Sequence, residues 1–202
     1  MSAHLYIEGA HSPADQRLCR EAFAKLLQKM SYAEQKRRPR LTACGSRNAA
    51  LDDFRTALTM AKPGDFVALL IDSEDPVADL EQPWQHLRTR DHWPQPAGTS
   101  SEQVLLMVTC METWIVADRE ALERHYGHKL QVSALPPTVQ LEARGRKEVQ
   151  ESLAHATRHC KNAYRKGARS FAVLAELNPY TLASLLPSFH RVKRILDQQL
   201  SP

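Results

Sequence analysis

The chain has 202 residues, 43 % hydrophobic and 25 % charged, which is the balance of a soluble globular protein with room for one medium-sized core. No apolar run approaches membrane-spanning length, and charged residues recur from Arg17 onward, so neither a membrane span nor a secretory h-region is expected and a cytoplasmic protein is. The formal charge of +4 is segregated: residues 1–64 carry 11 Lys/Arg against 6 Asp/Glu, residues 140–202 carry 11 against 5, and residues 65–123 carry 3 against 12.

An acidic centre between basic ends suits a metal-binding patch flanked by surfaces that attract phosphate. It also suits solvated faces on unrelated helices. The four cysteines, Cys19, Cys44, Cys110 and Cys160, lack any Cys-x-x-Cys or finger-like spacing and read as reduced, packed residues.

Residues 3–8 read as a strand that ends at Glu8-Gly9. Pro13 then opens a helix whose apolar stripe is Leu18, Ala22, Leu26 and Met30. The run Lys36-Arg37-Arg38-Pro39-Arg40 is a basic connector. Residues 41–44 form a second strand, and Ser46 or Asn48 caps a helix running to about Ala61, where Lys62-Pro63-Gly64-Asp65 stops it. Phe66-Val67-Ala68-Leu69-Leu70-Ile71 is a buried strand of a parallel sheet, and it runs into Asp72, Glu74 and Asp75. In an extended chain Asp72 and Glu74 share one face, where two carboxylates repel unless a proton or a hard cation lies between them.

Residues 76–101, with Pro76, Pro83, Pro94, Pro96, Trp84 and Trp93, form a long insertion holding a short helix over 84–90. The two tryptophans suit packing the insertion onto the domain better than stacking on bases. Residues 104–108 are a fourth buried strand, and Glu112 stands just past it at the start of a helix reaching Tyr126-Gly127. Asp118 on that helix is expected to cap or pair locally. Beyond Leu135-Pro136-Pro137 helices are expected over about 146–160, 168–177, 179–186 and 188–199. His155 and His159 are one helical turn apart, but with no third ligand evident they read as a surface pair.

The strand–helix alternation implies an α/β fold, a mostly parallel four-stranded sheet flanked by helices. We divide it into an α/β domain over 1–127 and a basic helical C-terminal extension over 128–202 packed on it. Glu8, Asp72, Glu74 and Glu112 lie at or after strand ends that face one way, so they can converge. Such carboxylates suit a magnesium or manganese ion that positions a phosphodiester, with Asp72 and Glu74 as ligands, Glu8 as third ligand or general base, and Ser46 and Arg47 near a phosphate. Dinucleotide and ATP-binding glycine motifs and a Gly-x-Ser-x-Gly elbow are absent from the sequence.

The segments Tyr6-Ile7-Glu8-Gly9 and Leu70-Ile71-Asp72-Ser73-Glu74 resemble the Toprim domain, the catalytic fold of topoisomerases, primases and overcoming-lysogenization-defect nucleases. The whole chain resembles a bacterial family, domain of unknown function 4276, through Cys44-Gly45-Ser46-Arg47-Asn48, Pro83-Trp84-x-His86-Leu87, Arg90-Asp91-x-Trp93, Met111-Glu112-x-Trp114-x-x-Ala117-Asp118 and Tyr164-x-Lys166-Gly167. The resemblance implies a Toprim-like, metal-dependent nuclease that works with an ABC- or AAA-type ATPase in anti-phage defence. Glu8, Asp72 and Glu74 would be catalytic, Glu112 a further metal ligand, and Ser46, Arg47 and Lys166 would bind nucleic acid. Glu74 stands where most Toprim domains carry aspartate, and its carboxylate reaches about one methylene further. The other reading is a non-catalytic adaptor that binds a partner ATPase or nucleic acid.

Overall fold

The computed structural model describes residues 2–9, 12–30 and 38–200; of the basic connector, Lys36 and Arg37 fall outside them. Four parallel strands, β1 (Ala3–Ile7), β2 (Arg40–Ala43), β3 (Phe66–Asp72) and β4 (Val104–Met107), lie in the order β2-β1-β3-β4. The fold is α/β, as the strand–helix alternation implies. Every residue of β3 is buried, which is why it reads as an unbroken apolar run rather than an alternating one.

Side-chain alternation divides the core between the two faces of the sheet. Leu5, Ile7, Ala68, Leu70, Leu105 and Met107 point to one face. There they meet α1 (Pro13–Leu27) and α4 (Met111–Ala117), together with the C-terminal helices α6 (Arg146–Thr157), α7 (Ala168–Leu174), α8 (Pro179–Leu185) and α9 (Pro187–Leu200). Val67, Leu69, Ile71, Val104 and Leu106 point to the other, against Ala50, Leu51 and Phe54 of α2 (Arg47–Met60) and Trp84 and Leu87 of α3 (Pro83–Asp91). Residues 128–200 therefore pack on the α/β layer by sharing its larger core: α7 lies against α1, and α9 along β4.

The helix starts follow local chemistry. Ser12 accepts the Asp15 N–H with Pro13 at the first helical position, and Ser46 accepts the Ala49 N–H. The helix expected to reach Tyr126 is two helices, α4 and α5 (Arg119–Tyr126). Asp118 between them has non-helical backbone; its Oδ1 caps Ala121 and its Oδ2 accepts the Asn178 N–H at 2.7 Å. A side chain able to satisfy two amides there outweighs one continuous helix.

The insertion packs down. Trp84 is buried beside Phe54 and donates its Nε1–H to the Ser100 carbonyl, while Trp93 lies beneath the Arg47 guanidinium, 5.0 Å away. Among the described residues no helix is long and apolar enough to cross a membrane.

Candidate metal centre

Two connections leave the sheet in opposite directions: β1 leads to β2 on one side, and β3 leads to β4 on the other. The crevice between the ends of β1 and β3 is thus the topological switch point, where open α/β sheets bind ligands. Glu8 is the first residue after β1, and Asp72 is the last of β3. Register makes them neighbours. Glu8 N–H donates to the Leu70 carbonyl at 2.9 Å, and the Asp72 N–H donates back to Glu8 Oε2 at 3.2 Å. Gly9 then bonds through its N–H to the Gly45 carbonyl with φ +132°, a backbone that only glycine adopts freely. That bridge ties the exit of β1 to the loop after β2.

Asp72 is nearly inaccessible, and its Oδ1 accepts the Met111 N–H at the start of α4, 2.8 Å away. Burial, then the charges of Glu8 and Glu112, push its carboxyl well above the ordinary aspartate range, and Lys166 alone draws it back among those charges. Burial raises Glu8 too; Arg47 opposes that, and the charge that adds to it is Glu74's. Both carboxylates border a cleft of about 400 Å³ whose walls include Ser46, Glu112, Lys166 and Phe171. Within the described residues, Glu8 Oε1 and Asp72 Oδ2 accept no hydrogen bond.

The remaining sequence-expected residues separate into those facing this cleft and those already committed. Glu112 is fully buried, and both its oxygens are taken, by Tyr164 Oη–H at 2.8 Å and Gln150 Nε2–H at 3.1 Å. It acts on Asp72 through charge rather than as an open ligand. Ser46 and Lys166 line the cleft, with Lys166 exposed on its wall.

Arg47 also borders it, but its guanidinium is spoken for. Nη1 donates to Glu8 Oε2 at 3.1 Å and to the Asp72 carbonyl, and Nε and Nη2 clasp both oxygens of Asp91. Burial raises the Asp91 carboxyl, but Arg47 and Arg90 outweigh it and hold it below the usual range. Arg47 is a strut that aims Glu8, where sequence reasoning made it a phosphate contact.

Glu74 departs furthest from expectation. The shared face with Asp72 assumed extended backbone, but β3 ends at Asp72, and Glu74 has φ +70°. Its carboxylate turns to Arg146 on α6 and to Arg90 on α3, away from the crevice. Among the described residues no three His, Cys, Asp or Glu side chains are grouped so as to hold an ion together.

Sequence reasoning assigned no role to Asp91, Arg90, Arg146, Tyr164 or Gln150. The runs Arg90-Asp91-x-Trp93 and Tyr164-x-Lys166-Gly167 were the available signals: the first braces Arg47, and the second places Tyr164 on Glu112 and Lys166 in the cleft. The cysteine thiols are free, and burial pushes those of Cys19 and Cys44 up to about 12, too high for a thiolate nucleophile near neutrality. His155 and His159 are both hydrogen-bonded to exposed Arg158.

The parallel α/β sheet places two carboxylates at its switch point, beside a cleft that is acidic at the floor and basic at the wall. The family model described as Domain of unknown function (DUF4276) matches residues 11–196, and the chain belongs to that family. No curated protein and no solved structure matches it significantly.

Proposed function

We propose that the protein is a Toprim-like, metal-dependent nuclease that hydrolyses phosphodiester bonds in the cleft between β1 and β3. The observation that carries this reading is the pair Glu8 and Asp72, hydrogen-bonded neighbours at the switch point, with Glu8's charge helping to hold the Asp72 carboxyl up. Such a pair fits a magnesium or manganese ion. Magnesium is usually held by one or two carboxylates and completes its octahedron with water and substrate phosphate, so a three-carboxylate cage is not required. Glu8 Oε1 and Asp72 Oδ2 would be the protein oxygens on it. When bound, the ion supplies Lewis acidity to a phosphodiester oxygen and a more acidic water.

The residues around it have separable roles. Arg47, clamped by Asp91 and Trp93, fixes the orientation of Glu8, and the Met111 amide fixes Asp72. Lys166 on the cleft wall offers a cation to a strand phosphate, and Ser46 at the start of α2 offers a hydroxyl. Glu8 Oε2 is held by Arg47 and the Asp72 N–H, which leaves Oε1 as its open oxygen for the ion. The family resemblance extends this to an anti-phage effector that acts with an ABC- or AAA-type ATPase.

The test is direct. Purified protein should cut labelled DNA or RNA oligonucleotides in magnesium or manganese, and chelation should stop it. Intact DNA and RNA in both metals, with and without the ATPase, would overturn the reading.

A second expectation concerns pH. An aspartate titrates near ~4 in the unfolded chain, and the folded value for Asp72 lies well above its ordinary one. Between the two the folded state holds a proton the unfolded chain has lost, so stability falls as pH rises through that window. Glu8 shifts the same way. In chelator, the urea midpoint of the native protein should therefore fall from pH ~4 toward neutrality more steeply than that of Asp72→Asn. Parallel pH profiles for the two proteins would contradict the burial of this charge.

A further inference from the structure

Resting on the reading of the cleft just given, we propose that Arg90 and Arg146 form a phosphate subsite which Glu74 fills in the free protein, and that a substrate phosphate displaces Glu74 toward Glu8 and Asp72. The geometry is that of a masked anion site. Arg146 Nη1, from the first residue of α6, hydrogen-bonds Glu74 Oε2, and Arg90 Nη2, from α3, lies 3.7 Å from the same oxygen while its Nε and Nη1 hold Asp75 and Asp91. Two guanidiniums converging on one anionic oxygen is how proteins hold phosphate.

The arginines are reachable and their partner less so: the side chains of Arg90 and Arg146 are 31 % and 39 % exposed, that of Glu74 only 13 %. Arg47, at 14 % and saturated by Glu8 and Asp91, offers no such opening. Ion pairs exposed to this degree are weak enough to exchange.

Glu74 also has somewhere to go. It lies two residues past Asp72, and its charge is felt by both Glu8 and Asp72. Three side-chain torsions let its carboxylate change partners without moving the backbone. Glu74 holds a left-handed φ of +70°, costly for residues other than glycine, asparagine and aspartate, with its N–H donated to the Thr109 carbonyl at 2.8 Å, so its side chain leaves a fixed backbone.

Once Glu74 leaves, Arg146 is left without a carboxylate among the described residues, and Arg90, whose Nε and Nη1 stay on Asp75 and Asp91, turns its free Nη2 to the same opening, which an incoming anion can fill. Phosphate at the arginines and an ion at the carboxylates should thus strengthen each other's binding, and by linkage the effect is reciprocal. The device keeps the third carboxylate away from the centre until a strand is seated.

Five proteins test this: native, Glu74→Gln, Arg146→Ala, the double variant and Asp72→Asn. Manganese binding, without nucleic acid, is measured by electron paramagnetic resonance. Arg146→Ala should bind manganese at least about fivefold more tightly than native protein, the low end of a site–site coupling. In the Glu74→Gln background the same change should bring no gain. In chelator, a fluorescent oligonucleotide should bind Glu74→Gln more tightly than native, and that gain should vanish in the double variant. An equal manganese gain in both backgrounds would mean Arg146 acts only as a nearby charge, and no gain in either would mean Glu74 is not held back; each overturns the subsite. Manganese binding unchanged by Asp72→Asn is a different failure: it removes the metal reading itself, and the subsite with it.

Discussion

Asp72→Asn is expected to lower metal-dependent cleavage by at least a factor of ~10³, a loss of about 4 kcal/mol in transition-state stabilisation, while the protein stays folded. The activity loss follows from removing one of two carboxylates at the switch point. The fold survives because asparagine keeps the oxygen that accepts the Met111 N–H at 2.8 Å. It also removes a buried charge that Glu8 and Glu112 oppose, so thermal stability at neutral pH should hold or rise. Cleavage rates and thermal melts on the same preparation check both halves. Retained cleavage would mean that Asp72 takes no part in catalysis. Lost folding would make Asp72 a structural residue.

Trp114→Ala should cost about 3 kcal/mol or more, within the range for emptying a buried aromatic site. Trp114 is 1 % exposed and packs edge-on against Phe189 of α9 at 4.7 Å and Phe23 of α1 at 6.4 Å. Its indole N–H meets no acceptor among the described residues, so no hydrogen bond is lost and the cost is packing alone. A loss of that size is a large fraction of a typical domain's stability. The position matters for function because Trp114 anchors α4, which brings both the Met111 amide and Glu112 to Asp72. Urea unfolding should show one transition at a lowered midpoint, since α9, α4 and α1 share a core. Two transitions, or a loss below ~1 kcal/mol, would mean the C-terminal helices fold apart from the sheet.

The parts of this architecture that could be read in advance are those encoded locally. The apolar run 66–71 needed two covered faces, and Pro13 and Ser46 carried their own helix-start chemistry. Glu8 and Asp72 were found for a topological reason: parallel strands present their carboxyl ends on one edge, however far apart they lie in sequence. Local pattern failed where a distant partner decides. The period-two reading of Asp72-Ser73-Glu74 assumed a strand that continues, but the chain turns left-handed at Glu74, and Arg146, 72 residues away, takes the carboxylate. Arg47 had the look of a loop arginine free for phosphate until Asp91, 44 residues on, claimed its fork. Glu112 seemed an open ligand, yet Tyr164 and Gln150 occupy its oxygens from behind. Nothing within a few residues of these side chains announces the pairing.

The segregated charge takes on a structural meaning in the same terms. The acidic stretch 65–123 contributes Asp72 and Glu112, and the basic ends contribute Arg47 and Lys166, so the two signs meet around one cleft.

The most direct measurement is a crystal of the protein soaked in manganese, with anomalous scattering locating the ion. A peak bonded to both Glu8 and Asp72, at the roughly 2.0–2.6 Å typical of hard divalent cations and oxygen, is the predicted result. Manganese density absent from the crevice between β1 and β3, or present only elsewhere on the surface, would contradict it.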